Sequence, residues 1–241
     1  MHAERADVVI VGGGIIGSCV AYYLARAGRD VAVLDPAPGE GSSKANAGII
    51  CASYCLPMAN PDSLRAGLAI VRGGHGPLSF RRPVPLRTLA WLVRRFGVRL
   101  PVAAGHGISL TLPAPGQPLI SGALMAGDEH VVISPAADYI RITSGMEFGA
   151  DRAPDPSPSA VARMRAAAER TVPALRELTG RGEPWRGARP MTPTGVPFIG
   201  AVAPNVVAAT GHNTLGMTLG PVTGQLVSDL ITQHKGTRRS G

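Results

Sequence analysis

The apolar positions near the start of the chain fall into a run, a stripe and a second run. Asp7–Val11 (DVVIV) is the short unbroken apolar run expected of a strand buried on both faces. Ile15 to Ala27 carries its apolar residues at helical spacing, and Gly28 stands where a helix ends in a left-handed residue. Asp30–Leu34 repeats the first pattern and closes on Asp35. Further on, Pro85–Leu100 places Leu86, Leu89, Ala90, Val93 and Phe96 on one helical stripe, with Arg87, Arg94 and Arg95 elsewhere. His130–Phe148 predicts two strands, Ile140 and Ile142 alternating with Arg141 and Thr143 after a turn at Pro135–Asp138. Asp151–Ser159 is a surface linker, and Ala160–Leu178 follows as a helix capped by Ser159 and broken at Pro173. Ala209–Ile231 ends a strand, bends through glycines and continues as an amphipathic helix. No internal repeat interrupts this order.

The first of these units carries chemistry. Gly12, Gly14 and Gly17 form G-x-G-x-x-G between the strand and the helix that opens at Ile15 and Ile16. The first glycine permits a tight turn, the second lets backbone approach a pyrophosphate, and the third lets helix pack on strand. Asp35 lies about twenty residues past the glycines, where a carboxylate holds a ribose hydroxyl and disfavours a 2′-phosphate. Strand, glycines, helix, strand and acid in register predict a dinucleotide site. The loop GSSKANAGI (Gly41 to Ile49) offers Ser42, Ser43, Asn46, Ala47 and Gly48 for close packing on an extended ligand. The bend at Gly211 and the helix start at Gly216, Met217 and Thr218 would present backbone donors and a positive dipole end. A flavin requires such a partner, because negative charge grows around its N1 and C2 carbonyl on reduction.

Composition narrows the partners. Of 241 residues 45% are hydrophobic and 17% charged, which fits a folded globule. The net charge of +8 rests almost wholly on arginine, Lys44 and Lys235 being the only lysines. With 4% aromatics and no zinc-finger or RNA-binding signature, no nucleic-acid partner is expected. Cys19, Cys51 and Cys55 make an odd count, and the C-x3-C pair fits neither a redox motif nor a usual zinc pattern. A reducing compartment and no metal are expected. Balanced charge over Met1–Asp7 and the glycines after it argue against a signal peptide, and no stretch of 18 apolar residues predicts a span. These features predict a cytoplasmic chain. The basic helix at 85–100 suits an anionic membrane surface, the inner face of the plasma membrane, and equally a core helix with a solvated basic face.

Four stretches together, VVIVGGGIIGSCVAYYLARAG, SSKANAGI, GARPMTPTGVPFIG and TGHNTLGMTLGPVTGQLVSDLI, resemble the FAD-dependent D-amino-acid dehydrogenase and glycine/sarcosine oxidase family. The similarity runs over about residues 7–98 and 101–233. It implies an α/β fold: a Rossmann-like FAD-binding domain, a parallel sheet with helices, plus a reduced antiparallel-sheet substrate domain. It implies a discontinuous FAD domain from residues 1–56 and 190–235, a shortened substrate domain at 57–189 and a flexible tail at 236–241. The implied reaction is oxidative deamination of a D-amino acid, with hydride passing from its α-carbon to flavin N5. The imine is then hydrolysed to a 2-oxo acid and ammonia, and a quinone or other electron-transfer acceptor takes the electrons. Arg189 stands where relatives bind the substrate carboxylate, and His212 and Thr214, in the bend expected to face the flavin, are candidate substrate-binding residues.

The chain departs from that pattern where relatives carry a long segment between the residues matching Arg95 and Pro101, and Ile108 replaces a usual tyrosine. The departures imply weaker FAD retention and an apolar sheet edge open to self-association or a partner chain. Two alternatives stay open: a shortened, non-catalytic or partner-dependent relative, and an NAD-dependent dehydrogenase.

Overall fold

The computed structural model describes residues 6–50, 78–80, 100, 102–148, 155–178 and 181–236. Strands β1 (Val8–Val11) and β2 (Val31–Leu34) pair in parallel, Val8 opposite Val31 and Val11 opposite Leu34. Helix α1 (Ile15–Arg26) joins them. It ends in a Schellman motif: Gly28 N–H donates to Ala25 O and Arg29 N–H to Leu24 O, with Gly28 at φ 72°.

A six-stranded sheet, antiparallel along its five-strand path, makes the second body. Its path is β5 (Leu124–Ala126), β6 (Val131–Pro135), β7 (Tyr139–Phe148), β4 (Ala103–Pro113) and β8 (Glu183–Met191). Strand β3 (Leu78–Phe80) lies parallel to the far end of β7. One face packs Leu110, Leu112, Ile133, Ile140 and Ile142 against Met164, Ala167 and Ala168 of helix α2 (Pro158–Thr171). Each such fully buried aliphatic side chain contributes about 1.5–3 kcal/mol relative to exposure. The expected pair of strands in 130–148 is β6 and β7, with Ile133 opposite Ile142.

The helix after the linker differs from expectation at its start. Ser157, not Ser159, is the N-cap, its Oγ accepting from Ala160 N–H. Pro158 then occupies the first helical position, where its missing N–H costs nothing and its fixed φ is already helical. The helix stops before Pro173, and Pro173–Glu177 continues as a 3-10 turn.

The chain returns to β1–β2 through a hairpin, β9 (Phe198–Ala203) and β10 (Val206–Thr210), and helix α3 (Gly216–Gly236). Val20 and Leu24 of α1, Val227 and Ile231 of α3, Val8, Ile10 and Val31 of the strands, and Ile199 and Val207 of the hairpin share one core. Helices α1 and α3 meet closely because α3 turns Gly220 and Gly224 toward α1. A Cβ on Gly224 would stand 2.6 Å from Cys19 O.

Among the described residues the parallel sheet is limited to β1 and β2, and the hairpin is a sheet of its own. The expectation that Asp7–Val11 is buried on both faces is also corrected. Val9, Val11 and Leu34 are 54%, 82% and 57% exposed. They point away from α1 and α3, and the described residues supply a covering layer on the helix side alone. The expected change of domain at residue 190 falls inside β8, which runs on to Met191. The proposed helix at 85–100 lies outside the described residues apart from Leu100, as do Cys51, Cys55 and the tail beyond Gly236.

Candidate functional site

The glycine motif folds as its spacing demands. Gly12 has φ 104°, and a Cβ there would meet open space. A Cβ on Gly17 would overlap Gly12 O, so only glycine lets α1 sit this close to the end of β1. The N-cap, Gly14, has no side chain to satisfy the first amides of α1. One is met from a distance: Ile15 N–H donates to Ser43 Oγ at 3.0 Å. That hydroxyl keeps its own proton to donate.

Asp35 is tied to the same turn. Its Oδ2 accepts from Gly13 N–H at 2.6 Å and its Oδ1 from Ala37 N–H at 2.8 Å. The Gly13 bond first, and the Ala37 bond after it, hold the carboxyl below the usual aspartate range. It is therefore an acceptor for further hydroxyls. An open groove beside it is lined by Gly13, Val33, Asp35 and Pro38 on one side and Ser18 and Tyr22 on the other.

The 41–48 loop is organised by Asn46, whose amide donates to Ser43 O and whose Oδ1 accepts from Gly48 N–H. Gly48, at φ 67°, supplies the left-handed turn that follows Ala47. The loop is also fastened to the large sheet. Ser42 Oγ donates to Ala188 O, and Arg141 Nη1 donates to Lys44 O at 2.7 Å. Arg141 is stiffened by the Tyr139 ring, 4.7 Å from its guanidinium carbon. The sheet face opposite α2 thus looks onto this loop.

Arg189 lies on that face. It is partly buried, with no hydrogen bond or ion pair to another described residue, and burial lowers its pKa. A guanidinium stays charged at any ordinary pH, so this is a cation without a countercharge among the described residues. A Cβ on Gly107, across from Gly187 on the neighbouring strand, would overlap the Arg189 guanidinium. Gly107 therefore leaves open the space that the Nη end of that fork fills. A row further along, Trp185, Ser109 and Thr143 stand abreast, and the buried Ser109 Oγ has no partner among the described residues.

The end of β8 is held by the bend before α3. Asn213, at φ 54°, donates its N–H to Pro190 O and its amide to Gly195 O and Gly211 O, while its Oδ1 accepts from Thr192 N–H. Gly211, at φ 80°, passes so close to the Thr192 methyl that a Cβ would overlap it. Arg189 consequently lies in the strand between two tethers, Ala188 to the 41–48 loop and Pro190 to the bend that precedes α3 and its first residues Gly216, Met217 and Thr218.

His212 and Thr214 divide. Thr214 is exposed at the bend. His212 is buried and turned onto α3, its Nε2 2.9 Å from Thr223 Oγ1, and burial pushes its pKa down to about 4. It is neutral at physiological pH and clamps the bend to the helix. Sequence reasoning passed over Gly107, Arg141, Trp185 and Asn213. Asn213 carried a local signal, since asparagine tolerates the left-handed region better than most residues.

These features define a dinucleotide-binding α/β unit joined to an antiparallel sheet that offers a cation beside the cofactor loops. Residues 7–82 and 86–230 match the family described as DAO, FAD dependent oxidoreductase. The chain belongs to that family, and FAD, not NAD, is the family's cofactor. The chain is 37% identical over 147 residues to a D-amino acid dehydrogenase of Paramagnetospirillum magneticum, covering 58% of this chain and 33% of the relative. It is 43% identical over 89 residues to one of Methylobacterium radiotolerans, 36% of this chain and 21% of that relative. The chain spans about a third or less of the length of these curated relatives. The fold is similar to glycine oxidase from Geobacillus kaustophilus, with TM-score 0.73, 19% identity and 96% and 95% of the two chains covered. It is also similar to L-proline dehydrogenase from P. horikoshii, with TM-score 0.74, 15% identity and 96% and 94% covered.

The residues present fit FAD. The uncapped amides of α1 and the open space over Gly12 suit a pyrophosphate, Ser43 can donate to it, and the Asp35 groove suits a ribose. No helix among the described residues is long and apolar enough to cross a membrane.

Proposed function

We propose that this chain oxidatively deaminates D-amino acids. One observation carries the reading: the Arg189 guanidinium, given its space by Gly107, stands without a carboxylate partner among the described residues, on a strand tethered on either side of it to the 41–48 loop and to the bend before α3. When bound, FAD supplies the two-electron acceptor. Arg189 would hold the substrate carboxylate through two parallel hydrogen bonds, fixing the α-carbon and the amine in one orientation. No general base is assigned. His212 is committed to Thr223, and an amine that binds uncharged requires positioning more than proton removal. The substrate gives up its α-hydrogen with the bonding pair and a proton from nitrogen. Water then converts the imine to a 2-oxo acid and ammonia, and a quinone or similar acceptor would reoxidise the enzyme. Incubating the FAD-loaded protein with D- and L-alanine and an artificial acceptor tests this: pyruvate from the D-isomer alone is expected, and pyruvate from neither overturns it.

A second reading is favoured by the bare outer face of β1–β2. Three large aliphatic side chains, Val9, Val11 and Leu34, would be covered in a chain that works with a partner or a second copy. Its test is solution mass. A monomer that retains FAD would remove this reading.

A further inference from the structure

Beside Arg189 the sheet offers a second feature that the carboxylate does not use. Gly107 and Gly187 are directly paired across β4 and β8. Two glycines abreast leave a flat patch of backbone on the face that looks onto the cofactor loop, and each half of the patch is covered by one neighbouring side chain. The Arg189 guanidinium lies over Gly107. The six-membered ring of Trp185 lies over Gly187, where a Cβ would overlap it and stand 3.1 Å from a third ring carbon. Trp185 and Arg189 are on the same face of β8, at alternate positions around Gly187. Opposed residues on antiparallel strands have Cβ positions about 4.5–5.5 Å apart. A cation and an apolar ring edge are therefore laid side by side at a separation that suits the two ends of one small molecule.

We infer that Trp185 is a specificity-determining residue, forming with Arg189 a two-point site in which the arginine takes a carboxylate and the indole takes an apolar side chain. The site favours amino acids with large apolar or aromatic side chains over alanine. An indole whose edge is seated against backbone offers a rigid apolar surface at low cost in rotamer freedom. Gly187 keeps it there, since any larger residue would displace the ring. The inference rests on the proposed amino-acid oxidation for the nature of the ligand, while the pairing of ring and cation is a property of the two strands alone.

The test uses FAD-loaded protein and two unreactive acids that differ by a phenyl group, 3-phenylpropanoate and propanoate, with affinities read by calorimetry. The larger acid is expected to bind at least tenfold more tightly. W185A and G187A should each bring that ratio to within threefold with the propanoate affinity little changed, W185F should keep most of it, and R189M should abolish binding of both acids. A ratio that survives W185A and G187A overturns the inference, as does equal binding of the two acids by the unaltered protein. Should those variants fail to fold, W91F leaves Trp185 as the single tryptophan. Its emission must then change with 3-phenylpropanoate and not with propanoate, and an unchanged emission overturns the inference. Trp185-dependent binding of 3-phenylpropanoate without consumption of D-phenylalanine would keep this site and remove the oxidation. Turnover of D-alanine and D-phenylalanine at equal kcat/KM, unaltered by W185A, would do the reverse.

Discussion

The guanidinium of Arg189 occupies the space that a side chain on Gly107 would fill, 82 positions earlier in the chain and one strand away. The glycine decides where the arginine's charge lies. Gly107→Ala is expected to displace the fork and raise the KM for a D-amino acid about tenfold, which corresponds to about 1.4 kcal/mol. Steady-state kinetics with Tm as a control checks this, and an unchanged KM would mean that the carboxylate is held elsewhere.

Arg189→Lys keeps the charge and loses the fork. Losing a charged bidentate contact costs about 1.5–3 kcal/mol, so KM should rise by at least an order of magnitude. The rate should also gain a fall at alkaline pH that the wild-type protein lacks, because burial lowers the pKa of a cation here and a lysine loses its proton where an arginine does not.

His212 predicts a pH effect on stability. Its pKa falls from 6.5 to about 4 on folding, so below pH 6.5 the unfolded chain binds the extra proton and the folded chain does not. The stabilisation is complete above 6.5 and is lost progressively as pH falls toward 4. It amounts to about 2 kcal/mol once solvent screening is included. Urea unfolding between pH 7 and 4 should show a steeper decline for the wild-type protein than for His212→Gln, and parallel curves would rule the effect out.

Gly224→Ala places a methyl group against the Cys19 carbonyl, a backbone atom that cannot swing aside. Overpacking of this kind costs about 1–3 kcal/mol. Chemical denaturation should report that loss, and an alanine variant as stable as the parent would show that the helices part freely.

The nucleotide released on denaturation should be FAD. Ser43→Ala leaves the first amide of α1 without its partner and removes a donor to the pyrophosphate. One hydrogen bond at about 1 kcal/mol predicts about a fivefold weaker Kd, measured by flavin fluorescence after dilution. Retention equal to wild type would place the phosphates away from Ser43.

What the sequence determined by itself is what short-range geometry determines. The spacing of Gly12, Gly14 and Gly17 and of Gly28 marked the turn, helix and helix end, because each glycine answers a constraint set within a few residues. Alternation placed Ile140 and Ile142 on one face of β7, because side chains alternate along any strand. Tertiary structure decided the rest. Alternation cannot say which strand lies beside which, so Gly107 under Arg189, Gly187 under Trp185, and Arg141 reaching Lys44 across 97 residues were invisible until the sheet registers were fixed. Hydrophobicity also states a demand for burial without naming what meets it. Val9 and Val11 read as a strand covered twice, yet only the face toward α1 and α3 is covered among the described residues. His212 was legible as a histidine in the bend, but its direction, onto Thr223 rather than out into the site, depended on how α3 packs. Periodicity fixes faces; packing between distant segments chooses their partners.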